Sequence, residues 1–122
     1  MRVFFTSSIV RVDVKVLGMS LALGPVRLRR TLLYLVSATR GGPARAKIIT
    51  TLKDEPMNVN QLAERLGHDY STIKHHLDVL RENKLVEVAG GKYGQLYFLS
   101  SDLQENYGIF IEILGKSGKT QT

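Results

Sequence analysis

Residues 60–88 read NQLAERLGHDYSTIKHHLDVLRENKLVEV, and the fold follows from how this stretch divides. Asn60 is a good N-cap for a helix over residues 61–66, because its side-chain oxygen can take a backbone N–H that the first turn leaves unpaired. Gly67 ends that helix, since glycine tolerates the left-handed conformation of a helix exit. Asp69 caps a second helix whose first turn is Tyr70-Ser71-Thr72. Ile73, Leu77 and Leu80, at spacings of four and three, form its inner face. Two helices joined by a short turn containing glycine have the helix-turn-helix pattern.

Working outward, residues 85–89 read as a strand, GGKYG at 90–94 as a loop and residues 95–100 as the returning strand. Ser101 and Gln104 have capping-box spacing for a helix over 102–115, with Leu103, Tyr107, Phe110 and Leu114 along one side. Upstream, Gly24-Pro25 opens a helix reaching residue 39, on which Leu28, Leu32, Leu35 and Val36 recur at helical spacing. Gly41-Gly42-Pro43 stops it and starts a short helix over 44–53, whose apolar face is Ile48, Ile49 and Leu52. IVRVDVKVL at 9–17 alternates with the period of a half-buried strand, and residues 2–5 offer a partner for it.

The fold class expected is therefore α+β and mainly α. It is a winged helix-turn-helix with a β-hairpin wing, flanking N- and C-terminal helices and a short N-terminal strand or hairpin. Residues 1–18 form an extension, for which Met19 is a second candidate start of translation. Residues 19–116 form the winged helix domain with terminal helices that dimerise, and residues 117–122 a frayed tail.

Composition narrows the chemistry. The chain has 122 residues, enough for one compact domain, and no cysteine, which removes disulfides, zinc–thiolate sites and thiol catalysis. No apolar run is long enough to span a bilayer. Arg11, Asp13 and Lys15 interrupt the stretch that would otherwise serve a secretory signal, so a cytoplasmic location is expected. The net charge of +6 is uneven: residues 1–48 carry nine cations against Asp13 alone, whereas residues 49–122 carry eight cations against ten carboxylates. A polyanion is drawn to the first part of such a chain.

The residues at 58–100 resemble the ArsR and MarR families of winged helix regulators, with STIKHHLDVL standing where those proteins carry their recognition helix. The likeness is nearest to ArsR-like archaeal proteins, and TRGGPARAKII at 39–49 resembles a feature of that group. The resemblance implies duplex DNA binding by a homodimer and a role in transcription regulation. One departure is Lys84, at a helix exit where the resembling families usually have glycine. A lysine in the left-handed conformation costs on the order of 1 kcal/mol, so either the turn differs or Asn83 takes that conformation instead.

An α-helix fits the major groove and reads base edges with its N-terminal half. Tyr70, Ser71, Thr72, Lys74 and His75 are accordingly the candidate DNA-contacting residues of that helix. Lys92 and Tyr93 at the wing tip join them, Lys92 neutralising about one phosphate. Arg40, Arg45 and Lys47 are candidate phosphate clamps, because in the resembling fold this helix end approaches the backbone. His75 and His76 are adjacent, about 100° apart on a helix, and cannot easily share one ion, so no metal or other cofactor is expected. His76 is expected to pack against the domain.

The terminal helices carry more apolar surface than a winged domain can cover. Leu28, Leu32, Leu35, Leu103, Tyr107, Phe110, Ile111 and Leu114 are therefore the candidate dimer interface. No paired carboxylates, phosphate loop or metal cluster marks an enzyme. The rival readings are a winged helix that binds protein and a sequence-tolerant architectural DNA-binding protein.

Overall fold

A computed structural model describes residues 24–91 and 94–121, with side chains as far as residue 116. The chain divides into two compact units at Arg30/Thr31. The N-terminal hairpin expected over residues 1–18 lies outside the described residues.

In the first unit the described residues, 24–30, are helical (α1). The second unit holds a π-helical turn, Leu33–Ser37, then α2 (Gly42–Asp54), α3 (Val59–Leu66) and α4 (Tyr70–Glu82). The hairpin β1 (Val86–Gly91) and β2 (Gly94–Leu99) comes next, then α5 (Ser101–Glu105) and α6 (Tyr107–Gln121). This is the mainly helical, winged helix-turn-helix plan.

The helix-turn-helix forms from local chemistry. Asn58, not Asn60, caps α3: its Oδ1 accepts from the Gln61 N–H at 2.7 Å, and Gln61 Oε1 accepts from the Asn58 N–H at 2.9 Å. Both residues are good caps by type, but only Asn58 has glutamine three positions on to close the box. Gly67 exits α3 at φ 74°, as its position in the sequence implies. Asp69 caps α4, accepting from the Thr72 N–H at 3.0 Å. Hydrogen bonds from Thr72 hold its carboxyl below the usual aspartate range. Lys84 itself takes the left-handed conformation, at φ 63°, while Asn83 stays at φ −95°. The turn keeps the geometry expected of glycine and carries a lysine there.

Leu62, Ile73, Leu77 and Leu80 meet Ile48, Ile49 and Leu52 in a core from which water is excluded, each at 3% exposure or less. Filling such positions is worth roughly 1.5–3 kcal/mol per side chain relative to leaving it exposed, so this cluster dominates the stability of the second unit. The hairpin adds Leu85, Val86, Tyr97 and Leu99. Its register pairs Val86 with Leu99 and Val88 with Tyr97, so the alternate positions facing the helices are apolar. Met57 pairs with Tyr97 through two backbone hydrogen bonds, 3.1 and 2.8 Å, and ties the α2–α3 connection to the sheet. The extended residue before α3 is thus Met57, and Val59 is the first helical residue.

The ladder runs on to Gly91↔Gly94, so residues 90, 91 and 94 are paired where a loop was expected. Gly90 and Gly94, at φ 118° and 152°, allow this. A Cβ on Gly90 would collide with the Gly94 carbonyl.

The C-terminal helix is broken in two. Ser100, one residue before the expected cap, accepts from the Leu103 N–H at 3.2 Å, and Gln104 Nε2 instead donates to the Leu99 carbonyl at 2.7 Å. Asn106 ends α5 with its N–H on the Asp102 and Leu103 carbonyls and its side chain on Asp102 O. Leu103, Phe110 and Ile113 all turn inward, at 0%, 0% and 1% exposure, and Tyr107 stacks beside Phe110 at 5.3 Å between ring centroids. One unbroken helix would have aligned Leu103, Tyr107, Phe110 and Leu114 instead.

Candidate nucleic-acid interface

The inner face of α4 is committed to the core through Ile73, His76, Leu77 and Leu80. What it leaves outward is its leading turn. Tyr70, 52% exposed, and Ser71 and His75 are open to solvent, and Thr72 and Lys74 are half-exposed. The first backbone N–H groups of α4 point the same way, except for that of Thr72, which Asp69 has taken. A helix end of this kind offers hydrogen-bond donors and a positive dipole to a phosphate beside a groove.

Lys74 is not idle there. Its Nζ bonds Asp78 Oδ1 at 2.8 Å, one turn along α4. That hydrogen bond raises the lysine pKa. Both side chains are 41–46% exposed, so water competes for the pair and Lys74 can exchange Asp78 for another anion at little cost. The four-residue spacing of Lys74 and Asp78 is the signal in the sequence that could have found this pairing.

The expected phosphate clamps divide. Arg40 and Lys47 are exposed. Arg45 is 6% exposed and turned inward, which corrects its assignment as a clamp. Its Nε donates to the Leu35 carbonyl at 3.0 Å, its Nη1 meets His76 Nδ1 at 3.2 Å and its Nη2 donates to Thr39 Oγ1. The reason lies upstream. The π turn closes with the Ala38 N–H on Leu33 O, and the Leu35 carbonyl in its middle takes side-chain donors from Thr39 and Arg45. Arginine has only donors, so His76 Nδ1 must be the acceptor and the imidazole is neutral. Burial and the neighbouring guanidinium push the His76 pKa below its ordinary value. Gly41 makes room: a Cβ there would stand 2.6 Å from Arg45 Nη1 and 2.9 Å from His76 Cε1. This cluster ties the π turn and α2 to the middle of α4. Its clue in the sequence is the Gly41-Gly42 pair, which reads equally well as a plain helix break.

Lys92 and Tyr93 lie outside the described residues. The expected dimer set also needs correction. Leu32, Leu35, Leu103 and Phe110 are buried in the second unit's own core, at 4% exposure or less, and have no surface left for a partner. Leu28, in the first unit, is 8% exposed. Tyr107 and Leu114 are half-buried, and of the eight only Ile111, at 50%, is open. Leu33 and Tyr34, on the solvent side of the π turn, are 43% and 62% exposed, and helical spacing alone does not single them out. Among the described residues no three His, Asp or Glu side chains gather as a metal site would require.

Residues 42–88, from the start of α2 into β1, match the family model described as bacterial regulatory protein, arsR family. This segment is therefore similar to the helix-turn-helix domain of that family. Solved structures agree on the fold. HlyU from Vibrio cholerae is 26% identical, with a TM-score of 0.54 over 73% of this chain and 90% of that one. The homodimeric winged helix-turn-helix DNA-binding domain Mb0332 from Mycobacterium bovis is 18% identical, with a TM-score of 0.57 over 80% of this chain and 83% of that one. Rv0081 from Mycobacterium tuberculosis is 19% identical, with a TM-score of 0.59 over 79% and 94%. No curated protein matches the chain by sequence. The family model is that of a regulatory protein, and Mb0332 is described as a DNA-binding domain.

Proposed function

We propose that this protein binds duplex DNA in a sequence-specific way through α4 and regulates transcription as a homodimer. The observation that carries the reading is the division of α4. Its inner residues are sealed in the core, while Tyr70, Ser71, Thr72, Lys74 and His75 stay clear of it at the N-terminal end that a major groove admits. In this reading Tyr70, Ser71 and His75 meet base edges and sugars, Lys74 leaves Asp78 for a guanine edge or a phosphate, and Arg40 and Lys47 hold the backbone. Lys92 and Tyr93 at the wing tip touch the flanking phosphates and sugars. Arg45 contributes indirectly, by fixing the depth at which α4 sits.

The homodimer rests on exposed apolar side chains that a monomer has no use for: Leu33 and Tyr34 beside the π turn, and Ile111 on α6, elements that pack on each other. A two-fold pair would set two α4 helices for successive major grooves. The nearer likeness to archaeal ArsR-like proteins rests on residues 39–49, the stretch that builds the Arg45 cluster. A protein of this function works in the cytoplasm, and no described helix is long and apolar enough to cross a membrane.

Selection of bound sequences from random duplex DNA, followed by titration of the winning duplex at rising salt, tests the reading. The expected result is one enriched motif with two-fold symmetry and an affinity that falls steeply with salt. No affinity at any salt would favour a protein-binding module, and affinity without a motif would favour an architectural protein.

A further inference from the structure

The three acceptors around Arg45 belong to different parts of the fold. The Leu35 carbonyl, 3.0 Å from Nε, and Thr39 Oγ1 come from the π turn and the residues just after it. Thr39 also donates to the Leu35 carbonyl at 3.2 Å, so these groups close on one another. The start of α2 is pressed against the same turn, because a Cβ on Gly42 would collide with the Val36 carbonyl. His76 Nδ1, 3.2 Å from Nη1, is the tie from this guanidinium to α4. That tie exists only while the imidazole is neutral, since a protonated ring has a donor on each nitrogen and no acceptor for arginine.

No anion among the described residues faces the ring to welcome a proton. The titratable groups that act on it are Arg45 from α2, His75 on α4 itself, with ring centroids 5.6 Å apart, and His68 just ahead of α4. Helix α3 and strand β1 also pack on α4 and bring the ring no carboxylate. Tyr34, in the π turn, acts on the guanidinium.

We infer that protonation of His76 is an acid-sensitive release for α4: it breaks the contact with Arg45, leaves the guanidinium on the π turn and weakens duplex binding. The inference rests on the DNA-binding reading and adds a regulation of that same site. Its sign separates it from ordinary electrostatics. Protons added to His68 and His75, beside the leading turn of α4, place positive charge near DNA and strengthen binding as the pH falls. His76 is 8% exposed and offers DNA nothing, so its proton acts only by loosening α4. Binding that needs the neutral ring is undiminished above the ordinary histidine value of 6.5 and is lost below it, by at most about tenfold per pH unit.

The release and its effect on DNA are measured apart. The isotope-labelled full chain is first titrated without DNA from pH 8 to pH 5. The His76 ring should titrate below His68 and His75. The Arg45 Nη signals and the amides of Thr72 and Lys74 should shift with the His76 midpoint, while the Arg45 Nε–H, held by Leu35, persists. Amides of α4 that ignore the His76 midpoint, or loss of the whole helical spectrum at that midpoint, would overturn the inference. Fluorescence anisotropy with the selected duplex, at constant ionic strength, then compares the native chain with His76→Asn. Asparagine Oδ1 hangs from Cγ as imidazole Nδ1 does, and it accepts from Arg45 at every pH. Between pH 8 and pH 5 the variant should bind more tightly, and the native chain should lose at least about threefold relative to it. Parallel curves would overturn the coupling to DNA. If His76→Asn does not fold, the native chain decides alone, and an affinity that climbs steadily down to pH 5 would overturn the inference. A chain that binds the duplex at no pH would refute the DNA-binding reading, and the titration without DNA would still decide whether α4 is released.

Discussion

Arg45 Nη1 lies 3.2 Å from Nδ1 of His76, joining a buried guanidinium on α2 to a neutral imidazole on α4. The two residues are 31 positions apart in sequence, yet the contact fixes where the outward turn of α4 stands relative to α2. A charged group is retained inside without a carboxylate partner because three acceptors, the Leu35 carbonyl, Thr39 Oγ1 and His76 Nδ1, surround it.

Removing the donor should therefore be costly. Arg45→Met strips His76 Nδ1 of its partner and leaves it buried, for an expected loss of about 1–3 kcal/mol. Gly41→Ala should act on the same contact by driving a methyl group against Arg45 Nη1 and His76 Cε1. Urea unfolding checks both, with a lowered midpoint at an unchanged slope as the expected outcome.

The same contact makes stability depend on pH. His76 has a folded-state pKa below the ordinary histidine value of 6.5, because it is buried and faces Arg45, with His75 and His68 as further neighbours. Its contribution is complete above pH 6.5 and is lost as the pH falls below that value, since the unfolded chain then takes up a proton that the folded one resists. Asp69 adds a separate loss at lower pH, beneath the ordinary aspartate value of 3.8. Thermal unfolding across pH 5–8 should show the first decline, and His76→Gln should flatten it. An unchanged profile in that variant would assign the decline elsewhere.

Lys74 is held by Asp78 in the free protein. Asp78→Asn frees the lysine and removes a negative charge from the face assigned to DNA, so duplex affinity should rise a few-fold at low salt, with little gain at high salt. Lys74→Ala should lower specific binding more than non-specific binding. Fluorescence anisotropy with the selected and a scrambled duplex separates the two, and equal losses would mean that Lys74 touches only phosphate.

Phe110 is an unsuitable probe of the dimer, because Phe110→Asp would place a charge in the core and unfold the chain. Ile111→Asp changes an exposed neighbour instead. It should keep the helical circular-dichroism spectrum and elute from a sizing column as a monomer. A native-like elution volume would count against α6 as a dimer face.

Lys84→Gly should stabilise slightly. Relief of the left-handed lysine returns about 1 kcal/mol, and the extra freedom of glycine in the unfolded chain offsets roughly half of it. A lowered melting temperature would mean that the lysine side chain contributes something the backbone argument omits.

Legibility in the sequence varied with the range of the forces involved. The helix-turn-helix could be read because its signals are local: Gly67, Asp69 and the 73–77–80 spacing each act within one turn. The cap of α3 lies two residues from where type alone puts it, since Asn58 and Asn60 compete on type and only the partner at Gln61 decides between them. The long-range features were hidden. Arg45 looks like a surface cation because nothing near it in the chain says that His76 and the Leu35 carbonyl will enclose it. Leu103 and Phe110 share a face by spacing alone, but spacing does not say that this face packs within the chain instead of on a second copy. The outward residues of α4 were the easiest to find, as what remains once the core spacing is assigned.

The central claim is that the leading turn of α4 enters a DNA groove, and the absence of cysteine makes a direct measurement practical. A single His75→Cys substitution can carry a tethered iron–EDTA group, with Glu55→Cys, exposed beyond the end of α2, as the control. On the selected duplex the reagent at position 75 should cleave both strands around one major groove in each half-site, and the reagent at position 55 should not. Equal cleavage from the two positions, or none from position 75 on a duplex that is demonstrably bound, would contradict the account.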